Sequence, residues 1–230
     1  MEGGESKKDG GDECGGTIEI WLRKHALNFT RATRHPFILS IRDGSVDIAS
    51  FKRWLEQDYL FVRAFVAFAA SVLIKACKES ENGSDMEVLL QGISALSDEL
   101  AWFKSEAEKW GVSLSGVSPQ PANLSYCRFL DSLMSQEVEY TVAITAFWAI
   151  ETVYQDSFAY CLEVESKTPH ELKETCKRWG NAAFGHYCRT LQKMANRQLH
   201  KAPGDVIKKT EATFLQVLDK EIDFWNMSHG

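Results

Sequence analysis

Three carboxylates stand where helical periodicity calls for apolar side chains: Asp58, Glu151 and Glu221. Asp58 lies two helical turns from Phe51 and from Phe65, so all three share one face. Glu151 falls between Trp148 and Tyr154, and Glu221 between Phe214 and Trp225, again at helical spacing. Taking a carboxylate out of water is costly unless it is paired or hydrogen-bonded. Two readings stand side by side. In one, each acid is structural and caps a helix or pairs with a buried arginine. In the other, the three meet in a polar pocket inside a helical bundle. A carboxyl group in apolar surroundings keeps its proton toward neutral pH, and general acid–base catalysis needs that property. Tyr126 and Tyr154 fall on matching faces as hydroxyl donors. Trp54, Phe61, Phe147 and Trp225 are candidate walls for a flat heteroaromatic ligand.

Other chemistries have weaker support. The histidines (His25, His35, His170, His186, His200 and His229) form no HExxH and no ExxH pair, so no metal site is expected. His25 or His35 could serve as a haem ligand, but His35 precedes Pro36 and reads as a turn residue. GxGxxG and GxxxxGK[ST] are absent, and no cofactor is expected. Cys14, Cys77, Cys127, Cys161, Cys176 and Cys188 contain no CxxC. Cys77, Cys127, Cys161 and Cys188 sit in apolar helical contexts and read as reduced core residues, although the count alone permits three disulfides. Cys127, beside Tyr126, is the cysteine nearest a candidate site residue in sequence.

The elements that must position these groups are helices. The dominant hydrophobic period is 3.6, and no segment alternates convincingly as a strand. The spacing predicts helices over 17–33, with Thr17 as N-cap, and over a short stretch after His35-Pro36-Phe37 that ends at Asp43-Gly44-Ser45. Longer ones follow over 47–78 and 86–110, the latter with Leu89, Leu90, Ile93, Leu96, Leu100 and Phe103 inward. Asn82-Gly83-Ser84 separates these two, and residues 111–123 form a connection. Further helices are expected over 124–135, 137–166, 168–181, 182–199 and 205–227. The 137–166 stretch is apolar nearly all round, which marks a central buried helix. The expectation is an all-α bundle of about ten helices, one domain over 17–230, preceded by a polar, glycine-rich tail over 1–16 that reads as disordered.

Apolar residues make up 44% of the 230, enough for a sizeable core. The net charge of −6, without a long basic run, argues against nucleic acid or an anionic membrane surface as partner. Charges interrupt each apolar run before the roughly 18 residues a membrane span needs. The tail has no apolar core of a signal peptide, so the expected location is cytoplasmic.

The run HPFILSIRDGSVDIASFKRWLEQDYLF (35–61), the helix LSYCRFL (124–130) and the terminal EIDFW (221–225) together resemble the TenA family of thiaminase II-type proteins. The resemblance implies a haem-oxygenase-like bundle that binds no haem and a homo-oligomer, dimer or tetramer. It implies hydrolysis of aminomethyl- or formylaminomethyl-pyrimidine to hydroxymethylpyrimidine, which salvages the pyrimidine half of thiamin. Asp58 matches the aspartate that contacts the pyrimidine, Glu221 the acid–base glutamate, and Tyr126 and Tyr154 the active-site tyrosines. Ile150 stands where better-known members carry a nucleophilic cysteine, with Glu151 beside it. That pattern is similar to a subgroup that uses a second glutamate, and it argues against cleavage of intact thiamin. Trp179 stands where a further family tyrosine is expected. Two other readings remain: a formylaminopyrimidine amidohydrolase that releases formate, and a non-catalytic pyrimidine-binding bundle.

Overall fold

The computed structural model describes residues 15–79 and 83–229. Ten helical segments follow one another among them: α1 (Thr17–Lys24), α2 (Ala26–Thr33), α3 (Pro36–Asp43), α4 (Ile48–Glu79), α5 (Gly83–Trp110), α6 (Pro121–Leu133), α7 (Tyr140–Tyr160), α8 (His170–Gly180), α9 (Ala182–Lys201) and α10 (Gly204–His229). The described residues contain no strand, and the all-α expectation holds. The tail expected to be disordered lies almost wholly outside the described residues, as do Cys14 and Asn82.

α7 is the axis of the bundle. Every residue from Tyr140 to Ile150 is buried, and α2, α3, α4, α8, α9 and α10 all pack on it. A helix apolar on all sides needs this enclosure. α4 lies against α5, α6, α7 and α10. One 18-residue window of α4 reaches a mean hydropathy of 2.0, so by length and composition this helix could cross a membrane. Charge interrupts this run at Arg63 and Lys75, as expected, but two charges do not lower the window's mean hydropathy below that of a spanning helix. Of that window, 44% is buried against neighbouring helices.

The first predicted helix is two. α1 stops at His25, whose Nε2 lies 2.7 Å from Glu211 of α10. Thr17 is the first helical residue and not the cap. The N-cap is Gly16, and the Ile18 amide is instead satisfied by Asn196 Oδ1 of α9 at 2.9 Å. His35 is more than a turn residue. It caps α3 by accepting from the Phe37 amide at 3.2 Å, and Pro36 takes the first helical position. Gly44 closes α3 at φ 74°, and a side chain there would strike the Lys167 carbonyl.

Two predicted core positions are solvent-facing: Leu90 on α5 and Cys77 on α4 are exposed. Both lie on flanks of their helices that no neighbour covers. Cys127 is half-buried, whereas Cys161, Cys176 and Cys188 are buried, and all five described cysteines are free.

Candidate active site

α4 carries two adjacent buried polar residues with different tasks. Gln57 turns toward the α6 entrance. Its Oε1 accepts from the Gln120 amide at 2.9 Å, its Nε2 donates to the Ser118 carbonyl, and Asn123 donates to its backbone carbonyl at 2.7 Å. These bonds fix the start of α6, which carries Tyr126. Asp58, one residue on, points into the bundle and has no exposed surface. Its Oδ1 accepts from the Tyr154 hydroxyl of α7 at 2.7 Å, and its Oδ2 has no protein partner.

The same pattern recurs on the other side. Glu221 of α10 is fully buried, its Oε1 accepts from the Tyr126 hydroxyl at 2.6 Å, and its Oε2 has no protein partner. A buried carboxyl oxygen without a partner is uncommon and marks a place where a ligand group or water can bond. Burial pushes the Glu221 pKa up to about 8, with the Tyr126 bond holding it back. Burial also drives Asp58 well above the usual carboxylate range, with Glu99 and Glu221 adding repulsion. Glu151 rises for the same reasons, burial first, then Glu99 and Glu221. Glu221 therefore lies close enough to Asp58 and to Glu151 to affect the protonation of each. Asp58 and Glu151 line a pocket of about 310 Å³, open mouth included, whereas Glu221 and Tyr126 lie outside its lining. Asp58, Phe61, Ile150, Glu151, Tyr154 and Trp179 line it.

Sequence reasoning missed a fourth acid. Glu99 of α5 also lines the pocket, and burial raises its pKa to about 7 against the opposing charge of Arg178 and a hydrogen bond from Trp179. The signal was present, because Glu99 is three residues after Leu96 and four before Phe103, both buried. It is the same break in an apolar stripe that Asp58 makes. Arg178 was also missed. Its guanidinium lies over Trp102, 5.1 Å from the ring centroid, and burial lowers its pKa.

The aromatic walls divide into two layers. Phe61 reaches the pocket and packs on Tyr126 with centroids 4.6 Å apart. Trp54 and Phe147 stand behind the lining. Trp54 packs between Phe51, Phe158 and Trp179, and Phe147 stacks on Phe65 at 5.2 Å. Trp225 braces Tyr154 from behind at 5.1 Å and donates to the Ala32 carbonyl.

No cysteine lines the pocket. Cys127 donates toward Asn123 Oδ1 at 3.4 Å, and burial raises its pKa to about 11, so it is not a thiolate at neutral pH. His35 is held by Asn226 at 3.0 Å and kept neutral by burial. Among the described residues no group of three His, Cys, Asp or Glu side chains is arranged to hold a metal ion.

Comparison with known proteins converges on one group. The model of the TENA/THI-4/PQQC family matches residues 22–230. A soybean (Glycine max) protein named "Probable bifunctional TENA-E protein" is 65% identical over 215 residues, 94% of each chain. An aminopyrimidine aminohydrolase of Halalkalibacterium halodurans is 22% identical over 85% of this chain and 88% of its own. Among solved structures, a TenA homologue from Pyrococcus furiosus superposes with a TM-score of 0.83 at 23% identity, covering 92% of this chain and 98% of the other.

Proposed function

The chain belongs to the TENA/THI-4/PQQC family, and from that membership and the acid pocket we propose that it hydrolyses a thiamin-derived aminomethylpyrimidine to hydroxymethylpyrimidine. One observation carries the reading. Asp58 and Glu221 are wholly buried, each has one carboxyl oxygen held by a tyrosine hydroxyl, and each leaves the other oxygen unpartnered.

Asp58 keeps its proton near neutral pH, because burial raises its pKa. A protonated carboxyl can donate to a ring nitrogen while its other oxygen still accepts from Tyr154. The ring then lies between Phe61 and Trp179. The carbon–nitrogen bond to the exocyclic methylene breaks as a carbon–oxygen bond to water forms. Glu221 gives its proton to the departing nitrogen and takes one from the water, so the products are the alcohol and ammonia. Glu151 is the second carboxyl of the pair and shares that proton. Ile150 places no nucleophile in the pocket, so the route is direct attack by water and intact thiamin is not a substrate. The active form is a homo-oligomer in this reading.

A second reading is favoured by the word "bifunctional" in the name of the 65% identical relative. On it, the same pocket also hydrolyses the formylaminomethyl compound, breaking the amide bond to release formate and leave the amine. The deciding experiment incubates the protein with each compound and identifies products by mass. Alcohol from the amine supports the first reading, and formate with amine from the amide supports the second. Binding of both compounds without any product would leave a non-catalytic pyrimidine-binding bundle.

A further inference from the structure

Glu99 and Glu151 have two sides. Inward they line the pocket that holds Asp58 and Tyr154. Outward, together with Leu96, they line a second chamber of about 440 Å³, mouth included, closed by Gln91, Phe184 and Tyr187. The two cavities adjoin, with Glu99 and Glu151 in the wall between them. The outer chamber contributes its own unused polar group: the Tyr187 hydroxyl is buried and has no hydrogen-bond partner. Gly92 makes room for it, because a methyl group at that position would strike the hydroxyl. The chamber therefore presents two carboxyls and a hydroxyl, all able to accept, and an aromatic edge.

We propose that this outer chamber is the subsite for a cationic amine, and that Glu99 determines specificity by favouring a charged aminomethyl substrate over its neutral formylamino counterpart. The inference rests on the pyrimidine hydrolase reading and extends it to the leaving group. The ammonia released at Glu221 leaves past the same two carboxyls. The charged and titratable groups that face Glu99 are Asp58 from α4, Glu151 from α7 and Arg178 from α8. Only Arg178 is a cation, and its effect is partly spent on Asp98. Glu99, with a pKa of about 7, is partly ionised at neutral pH, and an arriving ammonium draws it toward the carboxylate. A neutral amide gains nothing from that charge and has to be placed by hydrogen bonds alone.

The test compares wild type with Glu99→Gln, and with Glu99→Asp as the conservative variant, using the aminomethyl and the formylaminomethyl pyrimidine. The expected result is that the ratio of kcat/KM for the amine to kcat/KM for the amide falls about tenfold in Glu99→Gln, the size of one partly screened charge contact, and recovers partly in Glu99→Asp. An unchanged ratio overturns the proposal, as does an equal loss for both substrates with an unchanged melting temperature. If wild type turns over neither compound, the hydrolase reading fails separately. Calorimetry then decides the subsite, with aminomethylpyrimidine and hydroxymethylpyrimidine as probes. Weakening of the amine alone in Glu99→Gln supports it. Equal binding of the amine by wild type and variant, or no binding of either probe, overturns it.

Discussion

Tyr126 and Glu221, 95 positions apart in the chain, are joined by a 2.6 Å hydrogen bond in the buried interior of the bundle. The hydroxyl stabilises the ionised form of the carboxyl, whereas burial opposes it, and burial prevails. Glu221 is thus an acid with a proton to give at neutral pH and a fixed donor to orient it. Glu221→Gln keeps the shape and removes the proton exchange. Its turnover of the aminomethyl substrate is expected to fall roughly 10²- to 10⁴-fold, with circular dichroism unchanged. Wild-type rates in this variant would remove Glu221 from the chemistry.

The two tyrosines are expected to separate kinetically. Tyr126 touches the acid, so Tyr126→Phe lowers kcat. It also removes the bond that holds the Glu221 pKa down, so the alkaline limb of the rate profile, near pH 8 in wild type, moves to higher pH. Tyr154 touches Asp58, so Tyr154→Phe raises KM and leaves that limb in place. Full pH–rate profiles of both variants make the comparison. A limb that moves equally in both, or in neither, contradicts the assignment.

Stability should depend on pH in the direction opposite to that of a salt-bridged carboxylate. The Glu221 pKa rises from an ordinary 4.5 to about 8 in the folded chain, so between these values the folded state holds a proton that the unfolded chain has released. Its contribution is full below about pH 4.5 and is lost as pH rises through about 8. Glu99, raised to about 7, acts the same way. Melting temperature is expected to fall across that range in wild type. In Glu221→Gln, neutral at every pH, the decline is shallower and the protein is the more stable at the alkaline end. A wild-type melting temperature that rises over the same range would mean these acids are ionised in the folded state.

Much of this arrangement was legible in the sequence because a helix repeats. Asp58, Glu151 and Glu221 interrupt apolar stripes, and Leu89, Leu96 and Phe103 set the stripe that Glu99 interrupts. The period tells which side chains face inward. It does not tell which inward residues reach a shared cavity, since that depends on how helices cross. Trp54 and Phe147 were read as walls and are indeed buried, yet neighbouring helices place them one layer back. Thr17 failed as a cap for a related reason. Asn196 of α9 supplies the acceptor that a side-chain cap would have provided, and a contact 178 positions away leaves no local signature.

Ile150 offers a test of what the pocket does to a thiol. Ile150→Cys would place sulfur in the lining beside Glu151 at a modest packing cost of about 1 kcal/mol. Burial and neighbouring acids both disfavour a thiolate. The introduced thiol is expected to react slowly with iodoacetamide at neutral pH and to confer no cleavage of intact thiamin. Rapid alkylation, read against wild type to correct for the exposed Cys77, would show that the pocket activates sulfur after all.

The last prediction concerns how Trp179 is held against the site. Gly180, which follows it, brings the end of α8 against the backbone of α7. A Cβ at Gly180 would lie 2.7 Å from the Ala159 nitrogen and from the Phe158 carbonyl. Those are main-chain atoms, so no side-chain rotation can relieve the clash, and the helices have to separate. Trp179 stacks on Phe158 at 5.1 Å and meets Tyr154 at 5.7 Å. Separation would therefore loosen the Tyr154–Asp58 pair along with the packing. Gly180→Ala is expected to cost about 1–3 kcal/mol in chemical denaturation and to raise KM more than it lowers kcat. Gly83→Ala, where nothing lies within 4 Å of the added carbon, is the matched control and should leave both unchanged. An equally stable and active Gly180→Ala would mean that α7 and α8 approach less closely than this packing requires.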